Sequence, residues 1–181
     1  YDTDDYTLGL NGLGACATQY ASEYMDVEVK RDGFLYSLHF EHGENVGGLK
    51  KEPYAKKDTG TRIRFKPDIQ VFTDITVPTG YFDDILRRQA IVNPGLLFHF
   101  RTQQGRSYEE KDYLYEHGIA DYVQELTGEN GLTAVQSWSA ERTGRDRADK
   151  PEYKVKLNVA LCVSNKVNLL EYYHNSSWLE H

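Results

Sequence analysis

The sequence predicts a sheet-rich α+β protein. Fourteen tyrosines and seven phenylalanines among 181 residues recur in many short runs, and aromatic side chains are enriched in strands. Residues 25–41 form two such runs around Asp32-Gly33, and an Asp-Gly pair between alternating runs is a strong signal for a β-hairpin. Residues 79–92 instead repeat their apolar positions at helical spacing. Short strands mixed with helices of this length are typical of α+β folds.

The first half of the chain begins with a glycine-rich loop and continues as helix, hairpin and strand. Gly9, Gly12 and Gly14 precede a helix predicted over 15–23, which has alanine, glutamine and tyrosine but no proline or interior glycine. The segments after it are, in order, the two hairpin strands, a loop rich in glycine and lysine, and another alternating strand: 25–30, 34–41, 43–60 and 61–66.

The second half begins with the predicted helix 79–92, which Pro78 precedes and Asn93-Pro94-Gly95 follows as start and stop signals. The elements after it are a strand, a turn, a second strand, a helix and two strands around a charged tip: 96–101, 103–105, 106–115, 119–126, 133–140 and 152–163. The only plausible linker is 102–106. We therefore predict two domains, over 1–101 and 106–181.

Charge and cysteine content exclude several classes of protein. A net charge of −7 argues against a major DNA-gripping surface, which needs clustered lysine and arginine. Cys16 and Cys162 are too few for a disulfide framework and lack metal-site spacing, so we expect reduced thiols in a soluble, cytoplasmic protein. His39 and His42 would point to opposite faces of a strand with no third ligand nearby, and we therefore predict no metal site.

The glycine loop is the first candidate site. Glycines before a helix let the backbone approach an anion, and the N–H groups of the first turn then point at that anion. A tight turn explains such glycines equally well. The loop is not a Walker A motif, because no Gly-Lys-Ser/Thr follows, and the polar residues before it do not form the buried strand of a Rossmann fingerprint.

Motifs along nearly the whole chain resemble, in the same order, those of the ATPase subunits of bacterial type IIA DNA topoisomerases, which are the B subunits of DNA gyrase and of topoisomerase IV. Residues 9–14 are similar to the family's G-L-[HN]-G-[VL]-G loop, which occurs in Bergerat (GHKL) ATPases. Residues 59–65 resemble its T-G-T-x-[IV]-x-F strand, and Pro67-Asp68 and Phe72 continue that pattern. Later matches are a helix end, a turn and a strand end: 82–95, 115–119 and 172–177.

The resemblance implies a fold and a set of binding residues. It implies the C-terminal half of a Bergerat (GHKL) ATPase sandwich, followed by the N-terminal part of a transducer domain like ribosomal protein S5 domain 2. The loop would close over the triphosphate of ATP and a threonine would lie near the adenine. The ATP-binding residues so implied are Gly9, Leu10, Asn11, Gly12, Leu13, Gly14, Ala15 and Thr61. Arg31 matches an arginine at the pocket rim, and a surface charge beside a turn is the alternative.

The residues that perform the chemistry in this family have no counterpart in this sequence. The water-activating glutamate, the asparagine that holds Mg²⁺ and the aspartate that binds the adenine amino group precede the glycine loop in the family, and a phosphate-binding lysine lies in a later Q-T-K loop. Phosphoryl transfer depends on positioning, a metal and an oriented nucleophile. We therefore expect no catalytic residue here and no ATP hydrolysis by residues 1–181 alone.

For the parent protein, the resemblance implies an ATP-dependent type IIA topoisomerase that uses ATP and Mg²⁺. Its partners would be a second copy, which dimerises through the ATPase domain, an A-type subunit of gyrase or topoisomerase IV, and duplex DNA bound through other domains. The alternative is a naturally short or dissected, non-catalytic structural or dimerisation module of the same fold. A mismatch-repair or chaperone-type Bergerat ATPase is a third possibility, which the strand 59–65 and the turn 115–119 disfavour.

Overall fold

The computed structural model describes residues 13–179, which divide into two compact units, 13–77 and 78–179. Both units combine helices with antiparallel strands, which confirms the α+β prediction. None of the helices described has the length and apolar character needed to cross a membrane. The assignment of an ATPase part to 1–101 and a transducer part to 106–181 stays a prediction.

The first unit is one antiparallel sheet preceded by a helix. Strand β1 lies between β2 and β5, and β2 also pairs with β3 and β4. The elements are α1 (Leu13–Tyr20), β1 (Ser22–Arg31), β2 (Phe34–Glu41), β3 (Glu44–Asn45), β4 (Lys50–Pro53) and β5 (Gly60–Pro67). The helix ends earlier than predicted, because Ser22 already pairs with Pro67 of β5. Pairing within the sheet here outweighs local helix propensity.

The predicted hairpin is confirmed and has the expected turn. Asp32 and Gly33 both have positive φ, 53° and 75°, as a two-residue type I′ loop requires. Arg31 therefore pairs with Phe34, and the register runs from there along both strands.

The two faces of this sheet differ in chemistry, because side chains alternate along each strand. Val27 of β1 lies opposite Leu38 of β2 and Ile63 of β5, and this face is apolar. Ile63 and its neighbour Phe65 are 52% and 48% exposed. The other face carries charged residues, among them Asp26, Glu28, Lys30, His39, Glu41, Arg62, Arg64 and Lys66.

The second unit contains two helices, a short 3₁₀ turn and three antiparallel hairpins. Its elements are α2 (Thr79–Val92), β6 (Phe98–Gln104), β7 (Ser107–Tyr113), α3 (Ile119–Thr127), the 3₁₀ turn Gly128–Asn130, β8 (Gln136–Gly144), β9 (Tyr153–Leu161), β10 (Tyr172–His174) and β11 (Ser177–Leu179). Helix α2 has the predicted bounds. Residues 102–106, which the sequence analysis predicted to be a linker, form the end of β6 and the turn of the β6–β7 hairpin instead.

The core of the second unit forms where α2 ends. Ala90 and Ile91 are buried together with Tyr113 and Tyr115, and side chains of α3 and β6 pack around them. Asn93 ends the helix, since its backbone N–H and its Nδ2 group both donate to the carbonyl oxygen of Gln89, at 3.1 and 2.7 Å.

The turn between β7 and α3 rests on the end of α2. The Gly95 N–H donates to the Tyr115 carbonyl over 3.0 Å. Gly118 follows with φ 59° and ψ −125°, and a Cβ atom built on it would lie 2.9 Å from the carbonyl oxygen of Ile91. Only glycine fits this position without a shift of the backbone.

Candidate nucleotide-binding site

The first turn of α1 is open on all sides that the structure describes. Leu13, Gly14 and Ala15 are exposed, and a Cβ atom on Gly14 would meet no atom within 4 Å. The turn contains no acidic residue, so no carboxylate of the turn itself competes for its N–H groups. These features fit a phosphate at the helix start. Gly9, Leu10, Asn11 and Gly12 lie outside the described residues.

Thr61 lies on the apolar face of the sheet. It pairs with Val29 near the end of β1 and is exposed. Helix α1 instead joins β1 at its first residue, Ser22, so the two attachment points are seven residues apart, about 23 Å at roughly 3.3 Å per residue. Thr61 thus lies far along the sheet from the point where α1 is attached. Its exposed position on the apolar face would suit contact with an adenine ring, and this role stays a prediction.

Arg31 is the last residue of β1. Its Nε atom lies 3.2 Å from Oδ2 of Asp32, and both side chains are about three-quarters exposed, 76% and 75%. Such a pair in water contributes little to stability. The Arg31 side chain can therefore reorient toward a ligand at little cost. Its role at a pocket rim stays a prediction.

The described residues offer no evident place for Mg²⁺. Within 13–179 there is no group of three or more His, Cys, Asp or Glu side chains that could hold a metal ion. His39 and His42 contact different carboxylates, Asp26 and Asp68 respectively. These residues alone therefore do not fit Mg²⁺.

A network of side chains for which the sequence predicted no role lies on the charged face. His39 Nδ1 lies 2.6 Å from Asp26 Oδ1, and His39 Nε2 lies 3.2 Å from Glu41 Oε1. Arg64 approaches the other oxygen of Asp26 at 3.7 Å. A cavity of about 320 Å³ lies over this network. It is on the opposite face from Thr61, and is therefore a different surface from the one that the resemblance implies for ATP.

The network predicts a pH-dependent stability. The Asp26 carboxylate first, and the Glu41 carboxylate second, raise the pKa of His39 above its ordinary value of 6.5. A group whose pKa is raised by folding stabilises the fold fully below its unfolded pKa, and this stabilisation is lost as the pH rises through the folded pKa. The urea concentration at which half of the protein is unfolded is thus expected to be lower at mildly alkaline pH than at mildly acidic pH. His39→Gln should flatten that part of the profile; an unchanged profile would show that His39 is not responsible.

Known proteins that resemble this chain are B subunits of type IIA topoisomerases. No family model matches the chain. It is 33% identical to the B subunit of DNA topoisomerase 4 from Enterococcus faecalis over 138 residues, which are 75% of this chain and 20% of the relative. It is 35% identical to the Bacillus subtilis counterpart over 135 residues, 74% of this chain and 20% of the relative. The chain thus spans about a fifth of the length of these curated relatives.

A solved structure agrees with these relatives. The 43K ATPase domain of Thermus thermophilus gyrase B, in complex with an aminocoumarin, superposes with a TM-score of 0.63 and 29% identity over 78% of this chain and 38% of that one. The fold therefore matches part of that gyrase B ATPase domain and is consistent with a GHKL fold. The chain belongs to the family of type IIA DNA topoisomerase B subunits, of whose length it spans a part.

Proposed function

We propose that this chain contributes the glycine loop of an ATP-binding topoisomerase component, which couples ATP binding and hydrolysis to the passage of one DNA duplex through another. The open first turn of α1 carries the proposal. Its residues Leu13, Gly14 and Ala15 are exposed, Gly14 leaves room for a phosphate, and the turn itself contains no acidic residue to oppose the negative charge. The names of the relatives, which are B subunits of DNA gyrase and of DNA topoisomerase 4, support the same function.

In this proposal each candidate residue has one task. Backbone N–H groups of Gly9, Leu10, Asn11, Gly12, Leu13, Gly14 and Ala15 bind the phosphates of ATP. Thr61 lies beside the adenine and Arg31 at the pocket rim. Mg²⁺, the attacking water and its base are held by residues other than those described. ATP supplies the free energy for the passage of the duplex.

The proposed subunit works in the cytoplasm as a homodimer through its ATPase domain. It assembles with an A-type subunit of gyrase or topoisomerase IV and meets duplex DNA through other domains. The net charge of −7 is consistent with DNA being held elsewhere.

The test uses the full-length protein together with its A-type partner. Addition of a non-hydrolysable ATP analogue with Mg²⁺ is expected to convert the protein from monomer to dimer in analytical ultracentrifugation. ATP is expected to drive a change of plasmid linking number in steps of two, as the passage of a whole duplex requires. A protein that dimerises without nucleotide and leaves plasmid topology unchanged would instead be a non-catalytic dimerisation module.

A further inference from the structure

Helix α1 is attached to the sheet at its C-terminal end. None of its residues is buried. Gln19 Nε2 donates to the carbonyl oxygen of Gly43 over 2.7 Å, and the Tyr20 ring lies so close to Gly43 that a Cβ atom there would be 2.2 Å from it. The N–H of Asp68 donates to the carbonyl oxygen of Ala21 over 3.0 Å, which caps the last turn.

A buried aspartate joins the segments that make these contacts. Asp68 follows β5 directly and is only 5% exposed. Its Oδ1 accepts the N–H of Gln70 at 2.8 Å, and its Oδ2 lies 2.8 Å from Nδ1 of His42. The Gln70 N–H first, and His42 second, lower the pKa of Asp68, so its carboxylate is charged at neutral pH.

His42 belongs to the turn that receives the helix. It has φ 46° and precedes Gly43, whose φ is 85°, and its N–H donates to the carbonyl oxygen of Glu23 over 3.1 Å. The imidazole thus links the β2–β3 turn to the end of β5. Gln19 of α1 is bonded to that turn, and Ala21, which directly follows α1, is bonded to the end of β5. We name this group of contacts around His42 and Asp68 the α1 junction.

A change of angle at the α1 junction would be amplified at the other end of the helix. Eight residues at about 1.5 Å each make α1 roughly 12 Å long. A tilt of about 10° at its C-terminal end would move its first turn by about 2 Å, which exceeds the roughly 0.5 Å range of N–H···O distances. Small changes at the junction would therefore break hydrogen bonds made at the other end of the helix.

We propose that His42 and Asp68 are positioning residues for the phosphates of the nucleotide: the contact between them fixes the C-terminal end of α1 and thereby aims its first turn. The proposal rests on the proposed function of that turn. Neither side chain needs to touch the nucleotide, since both act through the backbone of the helix.

The test compares variants of the full-length protein. His42→Asn removes the imidazole but keeps a residue that tolerates positive φ, and Asp68→Asn removes the charge but keeps an acceptor for Gln70. Gln19→Leu removes one outer contact, and serves if the other two variants fold poorly. His99→Asn is the matched control, because it breaks a similar contact with Asp112, 2.6 Å long, in the other unit.

Two measurements separate positioning from general loss of stability. The first is the affinity for a non-hydrolysable ATP analogue and, separately, for adenosine. The His42 and Asp68 variants should bind the ATP analogue about tenfold more weakly, which corresponds to about 1.4 kcal/mol, and adenosine nearly unchanged. The second is amide exchange over residues 13–21 without nucleotide, which should be faster in both variants. The His99→Asn control should match wild type in both measurements.

The alternative outcomes are distinct. An equal loss of affinity for the ATP analogue and for adenosine would overturn the positioning role, and so would unchanged amide exchange over 13–21. If the wild-type protein binds the ATP analogue no more tightly than adenosine, the proposed function of the glycine loop fails. The amide exchange of the variants would still decide whether the junction holds α1.

Discussion

Replacement of Gly118 by alanine is expected to lower the free energy of unfolding more than any of the other substitutions proposed for this chain. Its φ of 59° and ψ of −125° lie in a region that is essentially restricted to glycine, and a residue with a Cβ atom pays about 1–3 kcal/mol there. The new methyl group would also lie 2.9 Å from the Ile91 carbonyl oxygen. Displacing the end of α2 adds about 1–3 kcal/mol more.

Gly128 offers a matched control for the Gly118 variant. Its φ of 49° and ψ of −127° are nearly the same, but a Cβ atom built on it meets nothing within 4 Å. Gly128→Ala should therefore show the backbone cost alone, and the difference between the two variants measures the contact with Ile91. Urea denaturation followed by circular dichroism gives both values. Equal losses would mean that the turn can move away from α2 freely.

Replacement of Gly14 by valine is expected to abolish nucleotide-driven dimerisation of the full-length protein while the fold remains intact. The structure leaves open space around Gly14, so the side chain disturbs no described neighbour. The branched side chain would instead fill the place where a phosphate meets the first turn of α1. Sedimentation with and without a non-hydrolysable ATP analogue measures the effect, and circular dichroism checks the fold.

Gly80 provides the control for the Gly14 variant. It lies in the first turn of α2 and also has no atom within 4 Å of a built Cβ. Gly80→Val makes the same change at another helix start, and should leave nucleotide-driven dimerisation as in wild type. Normal dimerisation of the Gly14→Val variant would reduce Gly14 to a turn residue and would contradict the proposed phosphate contact.

The elements that the sequence predicted well are those determined by adjacent residues. Asp32-Gly33 specifies its turn through its own backbone preferences, and Pro78 and Asn93 mark the two ends of α2. The end of α1 was placed too late, because Ser22 joins the sheet through Pro67, 45 positions away in the chain. Local propensity does not contain such a pairing.

In the candidate site, too, features set by adjacent residues could be predicted, and contacts between distant residues could not. The glycine loop is recognisable because its residues are consecutive and precede a helix. The contact between His42 and Asp68 joins positions 26 apart, on elements whose packing no local pattern determines. The contact between Asp26 and His39 could have been found, since a two-residue turn at Asp32-Gly33 fixes the register of both strands and places these residues opposite each other.

The contrast between the two faces of the first sheet also determines how β5 aligns with β1. If β5 slipped by one residue, Arg62, Arg64 and Lys66 would move to the apolar side, and their ion pairs with Glu28, Asp26 and Glu23 would be lost together. Ile63 and Phe65 would at the same time turn toward the charged side. Mispaired forms are thus penalised on both faces at once. The strand that carries Thr61 therefore selects its correct alignment during folding through its own alternating sequence.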